Sequence, residues 1–507
     1  MKNYKYLLIC FAFIASACSE KLELQPVGSL SEESFYKTQS DAISAVNSCY
    51  NTMLYLGGQG NGVDTGWDPI GDLWGSDVES HADIVDYVQI QTYTLLPNNF
   101  TVRTQWRIGF QGIYRANVAL QKIPGITMDE TLKSRLIAEA KFVRAFWYLR
   151  LVKLFANVPL VLEPLDVTAL YVPQSPKDAI YTQIKKDLTD AASVLPRSYT
   201  GTDIGRVTKG AAEVYLAELY LIQKKWSDSR TLVEDIISSG MYGLVDNYLD
   251  LFIGKADNSK EGIWEIQYTA NTGLNIGNRN TVLFSPNAEG YAPNGGWGWT
   301  RPTQDIVNEF EVTPKEDPRL SFSIFRKGDV FEGKVFQDKV HGTGYGHRKF
   351  TISAAMGSET SGNFQTSANL ILYRYAEVYL MEAEVLNEMG ESSKAVDYIN
   401  KVRARPSVNM PPISNSLTKD QVFEAIRHER RVELCFEGKM GYDLRRWGIA
   451  GQFLRSPNRW HNNTTLNPQY GGKFFKFVDG TNELMPIPQL EIDVAHGTLV
   501  QNPGYSQ

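Results

Sequence analysis

GAAEVYLAELYLIQKKWSDSRTLVEDIISSG, residues 210–240, is the stretch whose reading decides the fold. Counted from Gly210, the residues Leu216, Ala217 and Tyr220 fall at positions 7, 8 and 11, and Ser229, Val233 and Ile236 at 20, 24 and 27. This is the large–small–aromatic, small–large–small spacing of a tetratricopeptide helical pair, with Ile236 oversized for its slot. Small residues let the two helices cross closely, and large ones fill the groove of the next pair. A second match strengthens the first. From Ala376, the residues Ala383, Leu386, Ala395, Ile399 and Val402 take positions 8, 11, 20, 24 and 27, while Glu382 stands at position 7. Further out, residues 135–155 with 176–195, and 31–55 with 102–123, read as more divergent pairs.

The expected architecture is mostly α, with tetratricopeptide-type helical pairs as scaffold over about 31–56, 102–240 and 370–440. Large irregular insertions over about 57–96 and 270–369 interrupt it, with short strand-like runs such as 263–268 and 334–340 in or beside the second. An irregular, proline-bearing region, 441–507, closes a single body that starts at residue 18. Loops this long are functional or are structured by packing on the scaffold.

Residues 1–17 read as a lipoprotein signal peptide. Lys2 and Lys5 precede an apolar run at 7–15, and Ala15-Ser16-Ala17 leads into Cys18. The run is far short of the ~20 residues of a spanning helix. Cys18 is the expected lipidation site, and more than one acyl chain is needed for stable anchoring. Cys49 and Cys435, far apart in apolar surroundings, are expected to be buried and inert, with no disulfide framework.

Composition narrows the function. Of 507 residues, 43% are hydrophobic and 21% charged, which fits a packed globular chain. A net charge of -6 argues against nucleic-acid binding, which needs clustered Lys and Arg. No H-E-x-x-H, P-loop, G-x-S-x-G or post-strand G-x-G-x-x-G occurs. His341 and His347 share a glycine-rich loop, which is thin support for zinc. Asp72, Asp77, Glu79 and Asp83 form an acidic loop that reads as a solvated edge, a set of sugar-hydroxyl acceptors or a structural calcium site. A glycoside hydrolase would need two carboxylates about 5–9.5 Å apart there.

Aromatic residues, at 12%, carry more information. Trp67 and Trp74 lie in the first insertion, and Tyr291, Trp297 and Trp299 in the second, flanked by glycines and without helix or strand periodicity. Rings in such loops suit the C–H face of a pyranose. Trp74, Tyr291, Trp297 and Trp299 are therefore the expected stacking residues, with Asp77, Asn294 and Arg301 as hydroxyl partners. Trp106, Trp147 and Trp226 fall on helical patterns and belong to the core.

Four segments together resemble the SusD/RagB family of outer-membrane nutrient-binding lipoproteins. They are Leu24-Gln25-Pro26 with Ser34-Phe35-Tyr36; Leu372-Tyr373-Arg374-Tyr375-Ala376-Glu377 leading to Arg403 and Arg405; Glu429-Arg430-Arg431-Val432-Glu433 leading to Asp443-Leu444-Arg445-Arg446-Trp447; and Met485-Pro486-Ile487-Pro488 with Asn502-Pro503-Gly504-Tyr505. Phe310-Glu311 with Asp317-Pro318-Arg319 is a further marker. The resemblance implies a surface protein that binds an oligosaccharide, or in some members a peptide, and caps a SusC-like TonB-dependent transporter as a hinged lid. It implies no catalysis and no required cofactor, with the repeat face on the transporter and the ligand face built from the insertions. Glu20 fits the acidic flank used for surface export. The alternatives are a peptide- or protein-binding repeat lipoprotein and a glycoside hydrolase. Within the third segment, Arg430, Glu433 and Glu437 at i, i+3 and i+7 are expected to share a helix face in a partly buried polar network that fastens the last helix to the body.

Overall fold

Thr38 starts the first helix: its hydroxyl accepts from the Asp41 N–H while the Asp41 carboxylate accepts from the Thr38 N–H, a reciprocal cap on α1 (Gln39–Asn51). The computed structural model describes residues 35–57, 70–166, 171–270, 276–288, 290–292, 295–337, 343–353, 360–361, 365–460, 462 and 476–506. The signal segment, Cys18, Glu20, Trp67, Asn294 and His341 lie outside them.

The chain is mostly helical. Two short helices, α2 (Ile70–Gly75) and α3 (Val85–Thr92), precede the long antiparallel series α4 (Phe100–Lys122), α5 (Glu130–Phe155), α6 (Lys177–Val194), α7 (Lys209–Ile222) and α8 (Trp226–Ser238). After the second insertion come α9 (Tyr375–Glu388), α10 (Ser392–Arg403), α11 (Lys419–Glu433) and α12 (Met440–Arg446). Consecutive helices from α4 to α8 pack on one another, α1 packs on α4, and α9 packs on α10.

The small residues read from the repeat spacing do what their size allows. Ala217 and Ser229 are fully buried where α7 meets α8, close enough for the Ser229 hydroxyl to donate to the Ala217 carbonyl at 3.2 Å. Ala383 and Ala395 are likewise sealed between α9 and α10. The two repeats, separated in sequence by the second insertion, are stacked in space, since α8 packs on α9. Glu382, in the apolar slot of its repeat, is buried at that seam 3.9 Å from Arg230 on α8. Burial pushes its carboxyl up to about 7.

Among the described residues strands are few and short. Ile263-Trp264-Glu265-Ile266 supplies the β-branched and aromatic residues of β2, ahead of the second insertion. In chain order the strands used below are β1 (Val78–Ser80), β2 (Gly262–Ile266), β3 (Thr300–Pro302), β4 (Ile324–Arg326), β5 (Tyr345–His347) and β6 (Leu370–Arg374). They form antiparallel pairs β1–β3, β2–β6 and β4–β5. The β1–β3 register sets Val78 opposite Pro302, Glu79 opposite Arg301 and Ser80 opposite Thr300. It joins the two insertions to each other.

The first insertion corrects the sequence reading. Its glycines do not mark loop alone: α2 is buried along its whole length. A Cβ on Gly71 would stand 1.9 Å from the Gly438 carbonyl oxygen, and one on Gly441 2.5 Å from that of Gly71. These glycines let α2 and α12 approach backbone to backbone.

Charges fasten the second insertion and the last helices to the scaffold. Glu433, at the end of α11, accepts from Arg374 at 2.6 Å and from Arg405 and Arg319 at 2.8 Å, all four fully buried. Arg319 also pairs with Asp317 and Glu429, Arg405 with Glu261, and Arg374 with Glu437, which takes Lys349 at 2.7 Å. The network expected from the third segment exists, but not on one helix face. The helix ends at Glu433, Phe436 turns left-handed at φ 64°, and Glu437 leaves the helix. Arg430 turns instead to Asp443 and Glu377.

His428, on the same helix, lies between Glu309 at 3.0 Å and Glu311 at 3.3 Å. Burial disfavours its charge, but the two carboxylate hydrogen bonds outweigh that and raise it to about 9. A group raised on folding stabilises fully below its unfolded value near 6.5 and ceases to do so as pH passes about 9. Urea midpoints at about pH 6 and about pH 10 are expected to fall further for the parent than for His428→Gln. Equal falls would remove His428 from the account.

Cys49 and Cys435 are free and buried, and burial pushes the Cys49 thiol up to about 12. Among the described residues no helix is long and apolar enough to cross a membrane.

Candidate functional site

The site forms where the second insertion folds back on a short helix, Asn280–Phe284. A helix C-terminus leaves carbonyls without intrahelical donors. Here the Trp297 N–H donates to Val282 O at 2.7 Å, the Trp299 N–H to Leu283 O at 2.8 Å, and the Gly298 N–H to Ser285 O at 3.0 Å. Gly298, at φ 58°, takes the left-handed turn between the two tryptophans. Their rings stand 5.6 Å apart at 32°. Both are half-buried and packed against the main core.

Groups from other elements frame this pair. Tyr87 of α3 meets Trp299 edge-on at 6.1 Å, and the Arg279 guanidinium is 6.0 Å from the Trp297 ring. The His81 N–H donates to Trp299 O at 2.9 Å. Glu79 of β1 faces Arg301 across the ladder and accepts from the Trp460 indole N–H at 2.8 Å. The product is an apolar shelf of two rings with charged and hydrogen-bonding groups at its border, the arrangement that orients a polyhydroxylated ligand.

Of the seven residues expected to bind ligand, the six described do not come together. Trp297 and Trp299 form the shelf, and Asn294 lies outside the described residues. Trp74 is fully buried on α2, with the Arg445 guanidinium 3.6 Å from its ring and Tyr442 edge-on at 6.0 Å. Trp74 is not the exposed ring expected, because the glycines beside it serve close packing. Tyr291 is also buried, in a satellite core with Phe325, Phe331 and Phe336 that covers its ring on several sides. Arg301 is 8% exposed and belongs to the ladder beneath the shelf.

Asp77 is a structural anion. Its carboxylate accepts from Arg431 at 2.7 Å in full burial, and desolvation pushes it up to about 6 against that pull. The rest of the acidic loop is dispersed in the same way. Asp72 accepts from the Gly438 N–H at 3.1 Å, Glu79 holds Trp460, and Asp83 lies exposed beside His81. Among the described residues no three His, Cys, Asp or Glu side chains are placed to hold a metal ion.

Trp106 and Trp147 are buried and Trp226 is half-buried, each packed in the main core. Arg279, Tyr87 and Trp460 escaped the sequence reading. One signal for Arg279 was present: it is the sole charged residue between Glu265 and Glu289.

A second concavity of about 810 Å³ runs between α5, α7, β6 and α12. Two of its cations are matched, with Lys153 2.7 Å from Glu218 and Lys439 2.9 Å from Glu377.

Known proteins share this fold. The SusD family profile matches residues 260–505, and a SusD-like profile described as starch-binding associating with outer membrane matches 74–221. A SusD-like protein of Formosa agariphila is 28% identical over the full length of both chains. A solved laminarin binding SusD-like protein superposes with a TM-score of 0.77 at 28% identity, covering 93% of this chain and 100% of its own. A SusD-like carbohydrate binding protein from Bacteroides fragilis gives 0.78 at 26% identity, over 90% and 98%.

Proposed function

The chain belongs to the SusD family, and on that premise we propose that it is a lipid-anchored protein of the outer-membrane surface that captures a glycan and passes it to a SusC-like TonB-dependent transporter without cutting it. The observation that carries glycan capture is the Trp297–Trp299 pair, two half-buried rings with polar groups at their border. Carbohydrate binding by two structural relatives supports it. An indole face takes the C–H side of a pyranose, and hydroxyl partners at the rim fix its orientation. Lipidation at Cys18 supplies the anchor, with residues 1–17 removed. Pairing of Asp77 with Arg431 argues against a hydrolytic role for the acidic loop. The transporter contact rests on family membership.

Affinity gel electrophoresis against a polysaccharide panel tests the shelf. The parent is expected to be retarded by at least one polymer, and Trp297→Ala and Trp299→Ala each to lose about tenfold in affinity, near 1.4 kcal/mol. Undiminished retardation of both variants would remove the shelf from the binding site. Product released from the bound polymer on long incubation would replace the non-catalytic reading with a hydrolase.

A further inference from the structure

Arg279 differs from the arginines of the buried charge network. Arg319, Arg374, Arg405 and Arg431 are each ringed by carboxylates. Arg279 is half-buried, its Nε sealed from solvent without an acceptor, and among the described residues its guanidinium makes no hydrogen bond and no ion pair. Burial lowers its basicity, with no acid among the described residues to offset the effect. Desolvating a charge without a partner costs free energy, which is why such groups are usually matched. The local sequence offers no match either, since no acid lies between Glu265 and Glu289. In a chain with net charge -6 this is not a shortage of carboxylates.

The position of the unmatched charge is equally specific. Arg279 is the residue before the helix Asn280–Phe284, whose terminal carbonyls hold Trp297 and Trp299. Its guanidinium stands 6.0 Å from the Trp297 ring. A sugar stacked on the shelf would carry its ring substituents toward this group. The planar fork of a guanidinium matches a carboxylate or a sulfate ester with two parallel hydrogen bonds.

We propose that the glycan taken by the Trp297–Trp299 shelf is anionic, and that a carboxylate or sulfate on the sugar supplies the counter-charge Arg279 lacks. This rests on the capture function proposed above and names its substrate class. Neutral sugars leave the guanidinium unmatched, so they bind the same shelf more weakly.

The test uses the full chain with Arg279→Gln and Arg279→Lys, in affinity electrophoresis and calorimetry at low salt. The probes are polygalacturonate with its carboxyl-reduced counterpart, and a sulfated galactan with its desulfated counterpart. At least one charged polymer is expected to bind about tenfold or more tightly than its neutral partner, and which pair shows the preference identifies the anion. Arg279→Gln is expected to abolish the preference and Arg279→Lys to retain part of it. Bulk attraction does not produce this result, because the protein and these polymers carry charge of the same sign. Arg279→Gln is also expected to melt no lower than the parent, since it removes an unmatched buried charge. A lower melting temperature for that variant would mark a structural role and overturn the proposal. So would neutral polymers bound as tightly as charged ones, or a preference that survives Arg279→Gln, and either would leave glycan capture standing. Binding of no glycan by the parent would overturn both readings.

Discussion

Glu433→Ala is expected to cost about 3–5 kcal/mol of stability, a large share of the 5–15 kcal/mol typical of a folded domain. Alanine leaves Arg319, Arg374 and Arg405 buried around an empty position. The residues concerned come from four separate parts of the chain, so the loss spreads beyond α11. Glu433→Gln keeps the shape and removes the charge, and is expected to be nearly as damaging. Burial works against the Glu433 carboxylate, yet the three arginines together hold its pKa well below the usual carboxylate range. A depressed group stabilises above its unfolded value, and that contribution fades as pH falls toward the folded one. Thermal melts followed by circular dichroism at neutral pH give the comparison. A Glu433→Ala melt within a degree or two of the parent would mean that the network does not hold the insertion to the scaffold.

Gly71→Ala is expected to be comparably severe, although it adds one methyl group. Overpacking usually costs about 1–3 kcal/mol because side chains move aside. At Gly71 the obstacle is the Gly438 carbonyl oxygen, 1.9 Å from the added carbon, and backbone does not rotate out of the way. Displacing α2 exposes Trp74 and disturbs β1, which follows it closely. Gly125→Ala is the matched control, since a Cβ there meets nothing within 4 Å. The expected result is a large drop in melting temperature and soluble yield for Gly71→Ala beside a parent-like Gly125→Ala. Parity between the two would show that α2 and α12 are free to separate.

The scaffold was legible because repeat packing leaves a trace in residue size. Ala217, Ser229, Ala383 and Ala395 mark close crossings, where a larger side chain at the same interval would hold the helices apart. The loops were less legible because glycine has two uses. Gly298 does provide a left-handed turn between half-buried rings, as glycine-flanked tryptophans suggested. Gly71 and Gly441 instead permit contact between helices, and Trp74 went to the core with them. Tyr291 was misread for a related reason. Its partners Phe325, Phe331 and Phe336 are distant in sequence, so no local pattern announces that they meet. Arg279 was legible only as a lone charge, and its lack of a partner is a fact of three dimensions.

The β1–β3 ladder has a consequence in time. It pairs residues 78–80 with 300–302 and so closes a loop of more than two hundred residues. Closing a long loop forfeits chain entropy before any contact returns it, whereas α7 with α8, or α9 with α10, meet within a few turns of sequence. Helical pairs are therefore expected to assemble early, and the shelf of Trp297 and Trp299, beside β3, gains its frame of Tyr87 and His81 only once the distant halves have met. A chain stalled partway through folding would carry a complete-looking scaffold and no ability to hold its ligand.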